Sequence, residues 1–521
     1  MKKTFLLSCL MLAAMPVMAA YTGHVYVDKN KNGVFDQSEK PLAGIKVSDG
    51  LNVVETAADG SFTLPGHERE RFIFITTPSG YKTFNRHYHK IEKKQSGYDF
   101  GLIPYSGRIR KDGSHRYIHI TDTEIFNTEN HADWVNNVHD YARNEQAAFI
   151  IHTGDICYEK GLKAHIKLMN TENMDCPVFY CIGNHDLVKG KYGEELFESI
   201  YGPVYYSFDA GNVHYVVTPM SGGDHAPGYT SDDVCRWLKN DLAHIRPGTP
   251  VVVFNHDLLT YEDTFIFKSK NAGSINLNEY NLKAWVYGHW HINYMKKQGD
   301  VYSVCTSSLD KGGIDHSTTA FRVMHVDSKG DFTSELRYTY LDKNICIASP
   351  AGVMASGVLP VAVNVYSSVS PVREVLYTCL ADGKSVLKNK RLLQSTDWSW
   401  NGELPLSHKY VGKELTLRVT ARFNNGEIAE AESNFICRTE KTVPLFSADW
   451  DNLSGNAKHS APVSAPLNLP LQLAWTNNVG ANLYMTSPLI HKGKVIVASV
   501  DEDLKLSLIH ISEPTRLGMI S

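Results

Sequence analysis

The chain lacks several things that would place it quickly. No CxxC pair supplies a zinc motif, and no internal repeat is visible. Charge of one sign is missing: 52 Lys and Arg stand against 56 Asp and Glu, a net charge of -4 over 521 residues. That balance argues against a generic nucleic-acid binder, which would show a basic stripe. Long apolar runs are absent too; the strongest, from Phe5 to Met15, is too short to span a bilayer as a mature helix. With 43% hydrophobic and 21% charged residues the composition is that of a soluble globular protein, which excludes disordered, collagen-like and polytopic membrane classes. At roughly 150 residues per domain the length implies about three or four domains.

The ends read as processing or sequencing features. Lys2 and Lys3, the Phe5–Met15 run and the small residues Val17-Met18-Ala19-Ala20 form an export signal over residues 1–20, cut after Ala19 or Ala20. The mature protein is therefore expected in the periplasm or outside the cell. Leu6-Leu7-Ser8-Cys9 resembles a lipoprotein box, but too few residues precede it, so a lipid anchor is not expected. At the other end, residues 506–521 resemble a translated sequencing adapter and are set aside, with the natural chain expected to continue. Eight cysteines remain after processing. Several lie in apolar runs, such as Cys181 in Val178-Phe-Tyr-Cys-Ile182, and read as buried free thiols. Export permits disulfides, but spacing assigns no pairing.

Between the ends the pattern changes three times. Residues 21–105 hold short alternating segments, His24-Val-Tyr-Val27, Ser61-Phe-Thr-Leu64 and Phe72-Ile-Phe-Ile75 among them, parted by Gly, Pro and Asp-Gly turns. That is a small β-sandwich. Residues 106–348 alternate apolar strands with helical segments, an α/β pattern. One helix, from Thr230 to Ile245, sets Val234, Trp237, Leu238 and Leu242 on a single face, with Thr230 and Asp233 as a capping box. Residues 349–440 return to β alternation and suggest a second sandwich. The fold class expected is thus α/β, a layered sheet core flanked by helices, with a β-sandwich at each side in sequence.

Asp28-Lys-Asn30-Lys-Asn32-Gly33-Val34-Phe-Asp36-Gln-Ser-Glu39 fits the D-x-[DN]-x-[DN]-G-x5-E calcium loop at every required position. Side-chain oxygens of Asp28, Asn30, Asn32, Asp36 and Glu39, with the Val34 carbonyl, can wrap one Ca2+, and Gly33 supplies the turn. The segment, with its trailing Pro41-Leu-Ala-Gly44, resembles the calcium-binding β-sandwich repeats of bacterial surface proteins.

Five apolar strands each run into a polar turn: Asp122-Thr-Glu124, Gly154-Asp155-Ile-Cys-Tyr158, Gly183-Asn184-His185-Asp186, Asn255-His256, and Gly288-His289-Trp-His291. Ligands of open α/β sheets sit beyond the carboxyl ends of the strands, so these turns should converge. Carboxylates, an amide and several imidazoles converging there can hold two divalent cations. The five blocks in order resemble the calcineurin-like metallophosphoesterases. That resemblance implies a hydrolase of phosphate esters acting through a metal-bridging hydroxide, with metals of the Mn, Fe or Zn class and a small phosphorylated substrate. It implies Asp122 and His291 on metal one, Asp155 bridging, Asn184, His256 and His289 on metal two, His185 facing the leaving group, and Asp186 supporting the turn. The family's second histidine is replaced by Glu124, a possible ligand whose extra charge hardens site one. Tyr158 follows the spacing of purple acid phosphatases, where it would bind iron; otherwise it is a pocket-wall aromatic. Beyond Asp449-Trp450 the chain, residues 441–505, resembles the opening of a quinoprotein-type β-propeller. Two non-catalytic readings stay open, a secreted binding protein and a calcium-stiffened adhesin. Monoester, diester and pyrophosphate substrates are equally open, as is the oligomeric state.

Overall fold

The computed structural model describes residues 20–439 apart from 96 and 342, and beyond them residues 450, 452, 488–492, 494–500 and 506–512. The export signal and most of the segment that resembles a propeller opening lie outside the described residues. Among those that are described, Leu489–His491, Lys494–Val500 and Leu506–Ser512 form a three-stranded antiparallel sheet, so part of the adapter-like tail is a strand.

The central region stacks two sheets. The first runs Val178–Tyr180, Phe149–His152, His115–Ile120, Ala320–Val326, Phe332–Tyr338; its first three strands are parallel. The second runs Tyr206–Ala210, Val213–Val217, Val251–Phe254, Leu282–Tyr287, Val301–Cys305, Tyr294–Gln298, with four parallel strands inside it. Phe149–His152 and Val251–Phe254 are buried along their whole length, which is why they read as continuous apolar runs and not as alternation. Aromatic rings fill the space between the sheets: Phe179 stacks on Phe208 at 3.7 Å, and Tyr117 on Phe149 at 4.7 Å. Burying each such ring contributes about 1.5–3 kcal/mol.

Helices cover the outer faces. α1 (Ala132–Asn144) and α2 (Tyr158–Leu168) lay Trp134, Val138 and Ala164 on Ile118, Ile150 and Val323 of the first sheet. After α3 (Glu195–Tyr201), α4 (Ser231–Ala243) buries Val234, Trp237, Leu238 and Leu242 toward the second sheet. Its capping box forms as the sequence indicates: Thr230 Oγ1 accepts from Asp233 N, and the Asp233 carboxylate accepts from Thr230 N at 2.9 Å.

Both flanking domains are sandwiches. In the first, a sheet built on Tyr21–Val27 and Phe100–Pro104 packs on one built on Lys46–Ser48 and Phe72–Ile75, around Val25, Val47, Leu64, Ile73 and Leu102. In the last, Val358–Tyr366 and Glu414–Phe423 lead two sheets around Val361, Val363, Tyr377, Leu417 and Trp400. Glu414–Phe423 alternates exposed and buried side chains, the signature of a sheet with one wet face. All eight cysteines of the described chain are free; seven are buried and Cys346 is exposed. No helix among the described residues is long and apolar enough to cross a membrane.

The N-terminal sandwich is interlocked with the core. Thr76 Oγ1 meets Ser207 Oγ at 2.8 Å, and Phe72 and Phe74 join the central hydrophobic cluster. Beneath them His214 sits between two carboxylates, Asp209 at 2.7 Å and Asp241 at 2.8 Å, with Lys46 of the sandwich 3.4 Å away. Burial alone lowers the His214 pKa, but Asp241 and the two hydrogen bonds outweigh it, so it stands above the ordinary imidazole value. Burial likewise pushes Asp209 and Asp241 up, and Lys46 and His214 more than reverse that. The imidazolium therefore stabilises the fold below the unfolded value of about 6.5, and the contribution is lost as pH rises through the higher folded value. The carboxylates contribute above about 3.9 and lose their share toward acid. The melting-temperature gap between the native chain and His214→Asn should thus shrink as pH rises above about 6.5. A gap that stays constant or widens would show that His214 is neutral when folded.

Candidate metal centre

The five polar turns meet where the carboxyl ends of the two sheets face each other. Asp122, Asp155 and the 3-10 turn Asn184–Asp186 come from the first sheet; His256, His289 and His291 come from the second. Asp122 and His256 are fully buried, and Asp155 nearly so. His256 Nε2 lies 3.1 Å from Asp155 Oδ2 and 4.0 Å from Asp122 Oδ1. Asp155, His256 and His289 each offer a ligand atom, all within 4.8 Å of one another. His291 Nε2 lies 3.3 Å from Asp122 Oδ1 and 3.6 Å from Glu124 Oε1. The residues read from the sequence as metal ligands are therefore brought into one place, with Asp155 and Asp122 between the two groups of histidines.

The backbone is forced to make this cluster. Asp122, Glu124, Asp155, His289 and His291 have φ of 50°, 43°, 56°, 66° and 51°, and Cys157 and Tyr158 follow at 76° and 53°. Such left-handed conformations cost a non-glycine residue about 1–3 kcal/mol each and persist only where the surroundings impose them. Two glycines show the crowding. A Cβ on Gly154 would lie 2.7 Å from both Gly183 N and His256 Nδ1, and one on Gly288 would lie 2.6 Å from Asp122 Oδ2.

Hydrogen bonds orient the ligand atoms. His256 Nδ1 meets the Thr153 carbonyl at 2.7 Å, so Nδ1 carries hydrogen and Nε2 turns to the carboxylates. His289 N donates to Asp122 Oδ2 at 3.0 Å, and His185 N to Asp155 Oδ1 at 3.0 Å. Asp186 points away from the cluster and accepts from Asp155 N, Cys157 N and Gly183 N, each at 2.9 Å, which ties two turns together. Burial and the Asp155 charge push Asp186 up to about 7 against those three donors.

Divalent cations fit the donors present. Asn184 Oδ1 and His256 Nε2 are buried without a hydrogen-bond partner, a state that costs each about 1–3 kcal/mol unless something positive meets them. A neutral Nε2 would set its lone pair against the Asp155 carboxylate. Burial lowers the His256 pKa, yet Asp155 and Asp122 outweigh burial and lift it to about 9. The position thus demands positive charge, which a cation satisfies.

Three participants were not visible in the sequence. His185 Nδ1 meets Asp224 Oδ2 at 2.8 Å; burial lowers the His185 pKa, but this bond and the Asp155 charge raise it above the ordinary value. Lys311 Nζ meets Glu124 Oε2 at 2.6 Å and the Glu124 carbonyl at 3.1 Å. The extra charge of Glu124 is therefore partly neutralised, which offsets the hardening expected of site one. Phe126 stacks on Tyr158 at 6.3 Å, and Tyr158 lies 5.4 Å from the His185 ring. Tyr158 is 40% exposed, at the rim of the site.

Residues 115–293 match the model of the calcineurin-like phosphoesterases, and residues 29–104 match that of the N-terminal region of calcineurin-like phosphoesterase. These two matches support a metal-dependent phosphoesterase. The second match covers the sandwich that carries the calcium-like loop. Purple acid phosphatase 13 of Arabidopsis thaliana is 26% identical over 215 residues, 39% of this chain and 36% of that protein. The match thus spans about a third of the plant relative. Among solved structures, a novel archaeal phosphodiesterase gives a TM-score of 0.23 at 13% identity, covering 42% of this chain and 99% of its own. A putative 5'-nucleotidase from Staphylococcus aureus gives 0.27 at 12% identity, covering 43% and 53%. At those scores the fold rests on the topology above.

Asp224→Asn should retain bound metal and lower kcat on a phosphate ester at least about tenfold, because His185 loses the anion that holds its ring and its charge. Elemental analysis alongside kinetics checks this, and an unchanged kcat would remove Asp224 from the site.

Proposed function

We propose that the protein is an exported, dinuclear-metal phosphoesterase. What supports this most is the pairing of Asp155 with His256 and His289 on one side, and of Asp122 with His291 on the other, in a buried pocket that calls for positive charge. Asp122, Glu124 and His291 would hold one cation, Asn184, His256 and His289 the other, with Asp155 shared. The cations, when bound, would acidify water near neutral pH and screen the charge on phosphorus. His185 turns Nδ1 toward Asp224, which leaves Nε2 free to give a proton to the departing oxygen and to stabilise its charge. The rim aromatics Phe126 and Tyr158, 56% and 40% exposed, stand beside His185, so a substrate with a flat, apolar alcohol fits better than an alkyl one.

Elemental analysis should give two metals per chain, lost together with activity in Asp155→Ala and His289→Ala. His185→Ala should keep both metals and lose at least about a hundredfold in kcat. A panel of monoester, bis-ester and pyrophosphate forms of one aryl alcohol separates the substrate classes, and intact metal with no turnover on any of them would favour the binding-protein reading. Export rests on residues 1–20 and is checked by the mass of the chain recovered outside the cytoplasm, with Ala20 or Tyr21 expected as its first residue.

The Asp28–Glu39 loop supports a separate Ca2+ site. Asp28 and Glu39 are buried, 1% and 7% exposed, and among the described residues neither forms an ion pair; backbone N–H groups of Asn32, Gly33, Lys29 and Asp36 face their oxygens. A bound cation would offset that buried negative charge. Calcium should raise the melting temperature of the native chain, and Asp28→Ala and Glu39→Ala should abolish that rise while leaving kcat alone. An equal calcium response in all three would end the assignment.

A further inference from the structure

Asp224 holds His185, yet it lies in a stretch, residues 219–230, without helix or strand. What fixes that stretch is partly its own fold: Asp224 N donates to the Asn184 carbonyl at 3.1 Å, and Gly193 N donates to the Ala226 carbonyl at 2.8 Å. There is no slack where these backbones pass. A Cβ on Gly193 would lie 2.9 Å from the His225 carbonyl, and one on Gly223 would lie 2.7 Å from Asn184 Cα. The other anchor comes from another domain. Gly228 N donates to Glu194 Oε2 at 2.8 Å, and the Gly228 carbonyl accepts from Arg69 Nη2 at 2.5 Å. Glu194 is fully buried, and its charge is met at 2.7 Å by Arg71, which also meets Glu198 at 2.7 Å. Arg69 reaches on to Asp233 at 3.0 Å, at the start of α4.

We propose that the N-terminal sandwich is a working part of the active site: Arg69 and Arg71 are positioning residues that hold residues 219–230, and through them Asp224, against His185. The inference rests on His185 acting as proposed above. Arg71 does this by holding the Glu194 carboxylate in place against Gly228 N. Without it Glu194 and Glu198 are buried carboxylates that have lost their shared cation, and Glu194 is free to turn away from Gly228. Arg69 grips the carbonyl of the same residue. Asp224 then loses its fixed place, and the ring of His185 with it. Misplacement of that size acts on kcat and not on metal binding, because none of these residues touches a metal ligand side chain.

The test uses the full-length, metal-loaded protein and the variants Arg69→Met, Arg71→Met, Arg71→Lys and Asp224→Asn. Both Met variants should lower kcat on an aryl phosphate about tenfold, with metal content unchanged and KM within about twofold. Arg71→Lys, which keeps the charge, should recover part of the loss. Adding Asp224→Asn to either Met variant should cost no more than Asp224→Asn alone. Independently of turnover, the imidazole N–H signal of His185, assigned by its disappearance in His185→Gln, should shift in the arginine variants as it does in Asp224→Asn. If Arg71→Met does not fold, Arg69→Met, whose side chain is 51% exposed, and Arg71→Lys carry the test. An unmoved His185 signal, or losses that add fully to that of Asp224→Asn, overturns the proposal. A chain inactive on every ester yet showing the shifted signal would leave the clamp standing and remove the phosphoesterase reading.

Discussion

A carboxylate from one sheet and an imidazole from the other stand 3.1 Å apart where water does not reach them. Burying such groups is costly by several kcal/mol unless charge and hydrogen bonds are matched, and much of the surrounding structure does that matching. Backbone N–H groups of His185 and His289 reach the two aspartates. The Thr153 carbonyl that orients His256 belongs to a residue whose hydroxyl meets His119, which in turn meets Thr306 and, through it, Arg322. That chain ties the floor of the site to both sheets. The left-handed residues around the pocket are the conformational cost of aiming so many polar side chains at one point.

Much of this was legible in the sequence because strand and turn are local. An apolar run such as Val251–Phe254 declares a buried strand, and the polar residue after it must sit at the strand's end. Order along the chain then sufficed to place Asp122, Asp155, Asn184, His256, His289 and His291 together. The α4 box was legible for the same reason, its partners being three residues apart. Asp224 and Lys311 were not. They meet His185 and Glu124 across 39 and 187 residues, from irregular segments with no periodicity to mark them. A charged residue in such a stretch reads as solvated surface until the fold shows what it faces.

The substitution of a carboxylate at Glu124 illustrates how a departure from a motif is absorbed. One oxygen turns to His291 and the other to Lys311, so the new charge arrives with its own counter-charge from a distant turn. The same logic runs through the seam with the N-terminal sandwich, where the Lys46 charge favours ionised Asp209 and Asp241 and Arg71 meets Glu194. Charges that would be liabilities in either domain alone are settled between the two, which makes the seam polar and specific.

Six of the free thiols are sealed in the hydrophobic clusters of the central and last domains, and Cys157 is buried in the turn that carries Asp155. In the native state they are inert, since burial holds Cys157, Cys181 and Cys305 well above the ordinary thiol range and only a thiolate reacts readily. In an oxidising medium their safety is therefore kinetic. The chain has to bury its sulfurs before they find one another, and any opening of a domain that outlasts oxidant encounter would convert a reversible excursion into cross-linked, non-native material.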